Sequence, residues 1–239
     1  FKLNTANPTE YGGPACKKNQ ADGNAVYIID ATDGTILWSI SNAGADTNVA
    51  SMTHSIVSRI SALDRDGDGL VDHLYFGDLG GQVFRADLNN TKGTTTSAFG
   101  KRVVRLANLG STTISAGDQP RFYQAPTLTK HTQGADTFIL VGIASGDRST
   151  PLDVSPLTGR EGILPTNALT NRPTNNVYGL IDRDFSNKDL MTIGDSDLKT
   201  VDLTLSNLKK NPQSLSGTIS SNFFPYNKTT GLQGWYRSL

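Results

Sequence analysis

Nine residues carry the strongest chemical signal in the sequence: Asp64-Arg65-Asp66-Gly67-Asp68-Gly69-Leu70-Val71-Asp72. Carboxylates occupy loop positions 1, 3, 5 and 9, and glycines occupy positions 4 and 6. Four ionised carboxylates in one small space repel strongly, and a hard divalent cation removes that penalty while accepting their oxygens. Alternate spacing lets Asp64, Asp66 and Asp68 converge as the loop curls, and Gly67 and Gly69 permit the positive φ that the curl needs. The main-chain carbonyl of Leu70 falls where a backbone ligand is expected, and Asp72 closes the shell. Ca2+ suits this high count of oxygen ligands better than Mg2+, and zinc would want His or Cys. An ordinary Asp/Gly turn that binds nothing is the competing reading.

The Asp-x-Asp-x-Asp-Gly start matches an EF-hand loop, but position 12 holds Tyr75 where a bidentate Glu is required. The flanks also read as strands, Ile56 to Leu63 before the loop and His73 to Gly77 after it. The reading is therefore a calcium loop shortened to nine residues and set between β-strands, acting either as a structural staple or as a switch.

The elements that must position this loop follow a repeated grammar. Val26 to Ile29 is an apolar strand, Asp30 to Gly34 a turn, and Thr35 to Ile40 a return strand carrying Trp38. His73 to Gly77, Asp78 to Gly81 and Gln82 to Asp87 repeat that pattern with Phe84 as the aromatic, as equivalent hairpins of successive blades. Further strands are expected over Arg102–Leu109, Pro120–Lys130, Thr137–Ala144 and Asn176–Asp182, with shorter candidates at Met191–Ile193 and Val201–Leu205. Residues 1–24 read as a leading loop, and residues 145–175 as a Pro- and Asn-rich connection.

Composition agrees with a loop-rich β protein. The 239 residues hold 22 Lys plus Arg and 22 Asp plus Glu, so bulk electrostatic capture of nucleic acid or an anionic membrane is disfavoured. Glu occurs only at Glu10 and Glu161, so strong helix formers are scarce. A single Cys, Cys16, excludes an internal disulfide and thiolate zinc sites. No apolar run reaches the ~18 residues of a transmembrane helix. The start at Phe1 and the apolar content at the last residues read as a chain processed or cut from something longer. The fold class is all-β: a modified β-propeller, complete or partial, with long irregular loops, over a single domain 1–239.

The loop Asp64–Asp72 runs directly into Leu74-Tyr75-Phe76-Gly77-Asp78-Leu79-Gly80-Gly81-Gln82-Val83-Phe84-Arg85. In this the chain resembles the C-terminal β-propeller domain of the PilC/PilY family of type IV pilus biogenesis factors and tip adhesins. That family carries a D-x-D-x-D-x-x-x-D calcium loop followed by a (V/L)-Y-x-G-D-x-x-G-x-(V/L)-(W/F)-R strand pair. Gly23 to Trp38 is similar to its preceding hairpin, and Gly234-Trp235-Tyr236 to its later G-W-Y element. The resemblance implies Ca2+ held by Asp64, Asp66, Asp68, the Leu70 carbonyl and Asp72. It also implies a non-enzymatic role at the cell surface, at the pilus tip or outer membrane, with calcium modulating pilus extension against retraction and surface attachment. Partners implied are minor or major pilins and a host-cell or surface receptor. At about 40–50 residues per blade the chain would hold ~5 blades, and an open propeller would expose unpaired edges.

Two other functions compete. Asp30, Gly34 and Trp38 fit the A-x-D-x-x-T-G-x-x-x-W repeat of quinoprotein-dehydrogenase propellers, with Ala25 and Thr32 near its Ala and Thr, although Asp33 stands where Thr precedes the Gly. That repeat is architectural, and no cluster of quinone-binding residues can be assembled. DNA binding would draw on Lys101-Arg102 with Arg105 and on Lys209-Lys210, which read more simply as solvated faces. His54, His73 and His131 lack the spacing of a metal site or triad, and no G-x-S-x-G elbow occurs. Trp38, Trp235 and the Phe223-Phe224-Pro225-Tyr226 cluster are assigned to blade packing.

Overall fold

A computed structural model describes residues 23–89, 99–110, 120–133, 136–146, 148, 175–210, 226–227 and 232–239. Cys16, most of the leading loop and Phe223-Phe224-Pro225 lie outside the described residues. The described strands are β1 (Val26–Ile29), β2 (Ile36–Ser41), β3 (Thr47–Asn48), β4 (Ser61–Leu63), β5 (His73–Gly77), β6 (Gln82–Leu88) and β7 (Gly100–Asn108). They continue as β8 (Thr127–Gln133), β9 (Asp136–Ala144), β10 (Asn176–Asp182), β11 (Lys209–Lys210), β12 (Tyr226–Asn227) and β13 (Leu232–Ser238). The helical elements among the described residues are 3-10 turns at Asp195–Asp197 and Leu205–Asn207. Among the described residues no helix is long and apolar enough to cross a membrane.

The strands form three sheets, ordered β1-β2-β3, β4-β5-β6-β7 and β11-β13-β10-β9-β8, with β12 also paired to β13. Among the described residues there are three sheets. The two hairpins matched in sequence do fall in successive sheets, β1-β2 in the first and β5-β6 in the second.

The second sheet is the middle layer. Phe76, Phe84, Ala86 and Leu88 pack with Val26, Trp38, Ile40 and Met52 of the first unit. The alternate residues Tyr75 and Val83 pack with Ile139, Val141, Tyr178 and Leu180 of the third sheet. Side chains alternate across a strand, so β6, covered on both faces, is buried along its whole length. Trp38 fits between sheets because Gly100, the first residue of β7, offers no side chain against its indole. Its Nε1 donates to Thr47 Oγ1 at 3.1 Å. Trp235 lies against Gly179, its cross-strand partner in the third sheet.

Several expected strands are shortened for identifiable reasons. Only Ser61–Leu63 of the 56–63 stretch joins a ladder, because the Ile56 N–H is drawn to Gly23 O at 2.8 Å. Pro120 and Pro126 lack the N–H a ladder needs, so the strand expected from 120 begins at Thr127. Met191 to Ile193 is a turn, and the 201–205 stretch contributes one parallel bridge, Ala107 to Leu203, before a 3-10 turn.

A methyl group at Gly100 would overlap the Trp38 indole ring. Gly100→Ala is expected to cost about 1–3 kcal/mol, the range for overpacking. Gly146→Ala, which meets nothing within 4 Å, is expected to stay within about 0.5 kcal/mol of the parent. Urea denaturation of the two variants checks both.

Candidate metal centre

The acidic loop leaves β4 at Leu63 and enters β5 at His73. It curls because its own carboxylates take its backbone N–H groups. Asp64 Oδ1 accepts from Gly67 N at 2.7 Å and Oδ2 from Gly69 N at 2.9 Å. Gly67 and Gly69 hold φ of 84° and 89°, the left-handed region that side chains avoid. Asp66 Oδ1 accepts from Asp68 N at 3.2 Å, and Asp68 Oδ1 from Leu70 N at 2.8 Å. The N–H groups of Gly69 and Gly67 hold the Asp64 carboxyl below the usual carboxylate range. Asp72 is buried and seated on the second sheet, donating its N–H to Leu63 O at 2.9 Å and accepting from Leu88 N at 2.8 Å. Its Oδ2 accepts from Arg65 N at 2.7 Å.

The structure brings together three of the five residues read from the sequence. Carboxylate oxygens of Asp64, Asp66 and Asp72 lie within 4.8 Å of one another. Asp68, which shares the alternate spacing, is not in this group, and the exposed Leu70 offers only its main chain. Ligand oxygens at 2.3–2.6 Å from one calcium ion stand at most about 5 Å apart. An all-oxygen set with this spread fits calcium, and the remaining positions would fall to Asp68, the Leu70 carbonyl or water.

Behind the loop lies a buried ionic cluster that joins the second and third sheets. Arg85 on β6 has no exposed surface. Its Nε donates to Asp87 Oδ1 at 2.7 Å, and its Nη1 to both oxygens of Asp182 on β10 at 2.8 and 2.7 Å. Tyr75 Oη donates to Asp182 Oδ2 at 3.0 Å, and His73 Nδ1 lies 2.8 Å from Asp87 Oδ1. Burial alone would raise the Asp87 carboxyl, but the His73 hydrogen bond and the Arg85 charge outweigh it and hold it low. Burial pushes the Asp184 carboxyl up, although it accepts from Lys199 N at 2.8 Å and Thr200 N at 3.0 Å. Sequence reading placed Arg85 in a motif but missed this cluster. The available signal was a charge on alternate residues 85 and 87 within the otherwise apolar stretch 83–88.

The remaining candidate arginines and histidines are accounted for by packing. Arg102 is buried, its guanidinium donating to Leu190 O at 2.7 Å, Ile193 O at 2.9 Å and Asp195 Oδ1 at 3.0 Å. Arg105 pairs with Asp202 and donates to Gln82 Oε1 at 2.8 Å. Both arginines of the basic cluster considered for phosphate are thus engaged within the protein. His131 stacks on Phe138 at 5.9 Å, and the His54 ring lies against Gly80.

Asp78 opens the β5–β6 turn fully buried, its carboxylate accepting from Gly80 N, Gln82 N and Gln82 Nε2 at 2.8–2.9 Å. Burial raises its pKa from 3.8 to about 6. Below pH 4 the group is protonated folded and unfolded; between pH 4 and 6 only the unfolded chain gives up the proton, so stability falls as pH rises. The parent is expected to lose on the order of 2–3 kcal/mol relative to Asp78→Asn across that window, because the buried carboxyl resists the ionisation that the unfolded chain undergoes freely. Denaturant titrations of both proteins at pH 3 and pH 7 measure the difference. Arg85→Met leaves Asp182 buried without its cation, and Asp87 with only His73 and the more distant Arg102 Nε at 3.4 Å, and is expected to cost about 3–5 kcal/mol, read from the denaturation midpoint.

No protein-family profile and no curated protein matches the chain. Among solved structures it is similar to the C-terminal domain of Pseudomonas aeruginosa PilY1, with a TM-score of 0.56 and 20% sequence identity. The match covers 90% of this chain and 44% of that one, so the chain spans less than half the length of the domain it matches. The all-β, propeller-like class expected from the residues is thus also found by comparing backbones, and the chain has the β-propeller-like fold of the PilY1 C-terminal domain.

Proposed function

We propose that this chain is a non-enzymatic, calcium-binding factor of type IV pilus biogenesis, with calcium occupancy biasing pilus extension against retraction and surface attachment. The observation that carries the reading is the convergence of Asp64, Asp66 and Asp72 oxygens within 4.8 Å, in a loop seated on the central sheet of a fold shared with the PilY1 C-terminal domain. The loop closes β4 onto β5, so a cation there braces the edge of the sheet on which both neighbours pack. In this reading the protein works outside the cell, at the pilus tip or outer membrane, against minor or major pilins and a surface receptor.

Calorimetry on chelator-stripped protein is expected to record one calcium site. Saturation at a hundredfold excess over Kd should stabilise the fold by about 2.7 kcal/mol, or roughly 5–10 °C in Tm for a chain of this size. Asp64→Ala and Asp72→Ala should each abolish that rise. A Tm that is the same with calcium and with chelator in the parent protein overturns the proposal.

A further inference from the structure

The acidic loop is tied to more than its own sheet. Arg65 is held at both ends: its backbone N–H donates to Asp72 Oδ2 at 2.7 Å, and its Nη1 donates to the carbonyl of Asn187 at 2.9 Å. Asn187 belongs to the connection that follows β10 in the third sheet. The same carbonyl accepts the Leu190 N–H at 3.1 Å, and the carbonyl of Leu190 is taken in turn by Arg102 Nη2 at 2.7 Å. Two arginines of the second sheet's chain, one in the loop and one on β7, therefore clasp the 187–195 turn. Lys188, Asp189, Thr192 and Asp195 on that turn are exposed.

Arg65 is the only cation among the nine loop residues. Its guanidinium is attracted by uncompensated carboxylates and repelled by a dication held among them, so cation capture and the reach toward Asn187 favour each other. Burial of Asp72 makes that end of the linkage stiff, since the residue is fixed to Leu63 and Leu88 by its backbone.

We propose that Arg65 transmits calcium occupancy of the Asp64–Asp66–Asp72 cluster to the 187–195 turn. With the cation held, the guanidinium stays on Asn187 and the turn is braced against the second sheet. With the carboxylates uncompensated, the guanidinium is drawn back to them and the turn is released. The inference rests on the calcium reading above and names the surface that reading regulates.

Hydrogen exchange by mass spectrometry on the whole chain tests it. In the parent, calcium should slow exchange of the Leu190, Thr192 and Ile193 amides, which donate to Asn187 and Asp189 carbonyls, at least tenfold relative to chelator. In Arg65→Ala, calcium should still slow the Gly67 and Gly69 amides and still give a calorimetric isotherm, with Kd weakened no more than tenfold. The 190–193 amides should no longer respond. Arg65→Gln, which keeps most of the side chain's bulk without its charge, should behave in the same way. A turn that still responds in either variant overturns the proposal. So does a parent whose loop amides and calorimetry report calcium while 190–193 stays unchanged, and that result leaves the calcium reading standing. Absence of any calcium binding in the parent removes both.

Discussion

A guanidinium with no surface in water, set between Asp87 on its own strand and Asp182 on the neighbouring sheet, is the contact around which this protein is joined. Arginine suits the position because its planar fork meets two carboxylates in fixed directions while remaining charged when buried. Asp87 also meets His73, the residue that follows Asp72, so the acidic loop is anchored one step from the cluster. Asp182 is followed two residues later by Asp184, which gathers the Lys199 and Thr200 N–H groups and closes the long connection after β10. Arg85 thus stands beside the anchor of the loop, through Asp87 and His73, and beside the start of the connection after β10, through Asp182.

The interface of the second and third sheets therefore has two unlike ends. Val83, Leu180 and Val141 make one end apolar, and Arg85, Asp87 and Asp182 make the other ionic. An apolar contact between sheets tolerates sliding, because methyl groups are nearly interchangeable. A guanidinium gripping both oxygens of one carboxylate does not, since a shift of one strand position separates the charges in a medium that cannot resolvate them. The ionic end sets the alignment and the apolar end supplies the burial.

How much of this could be read in advance depended on whether the cause was local. The hairpins β1-β2 and β5-β6 were legible because apolar residues flank Asp/Gly turns. The loop was legible because Asp64, Asp66 and Asp72 lie within nine residues of one another and their oxygens converge. Asp68 shows the limit of spacing as a guide: it repeats the pattern, yet its carboxylate takes the Leu70 N–H and stays outside the convergent set. Arg85 with Asp182 is separated by 97 residues and Arg65 with Asn187 by 122, and no periodicity signals such pairs. The two-residue strands β3 and β11 were equally invisible, since Thr47-Asn48 and Lys209-Lys210 become strands only through the partners they lie beside.

The position of β6 at the centre has a kinetic side. A chain emerging from its N-terminus can lay the first hairpin on Phe76 and Phe84 as soon as residue 88 is out, using contacts of modest span. The opposite face of the same strand must wait, with Arg85 still hydrated, until Asp182 arrives 97 residues later. Large sequence separation slows folding, and a half-covered central strand is sticky in the interval. Assembly is thus expected to run in order, first layer on second and third layer last, with the ionic joint as the closing event.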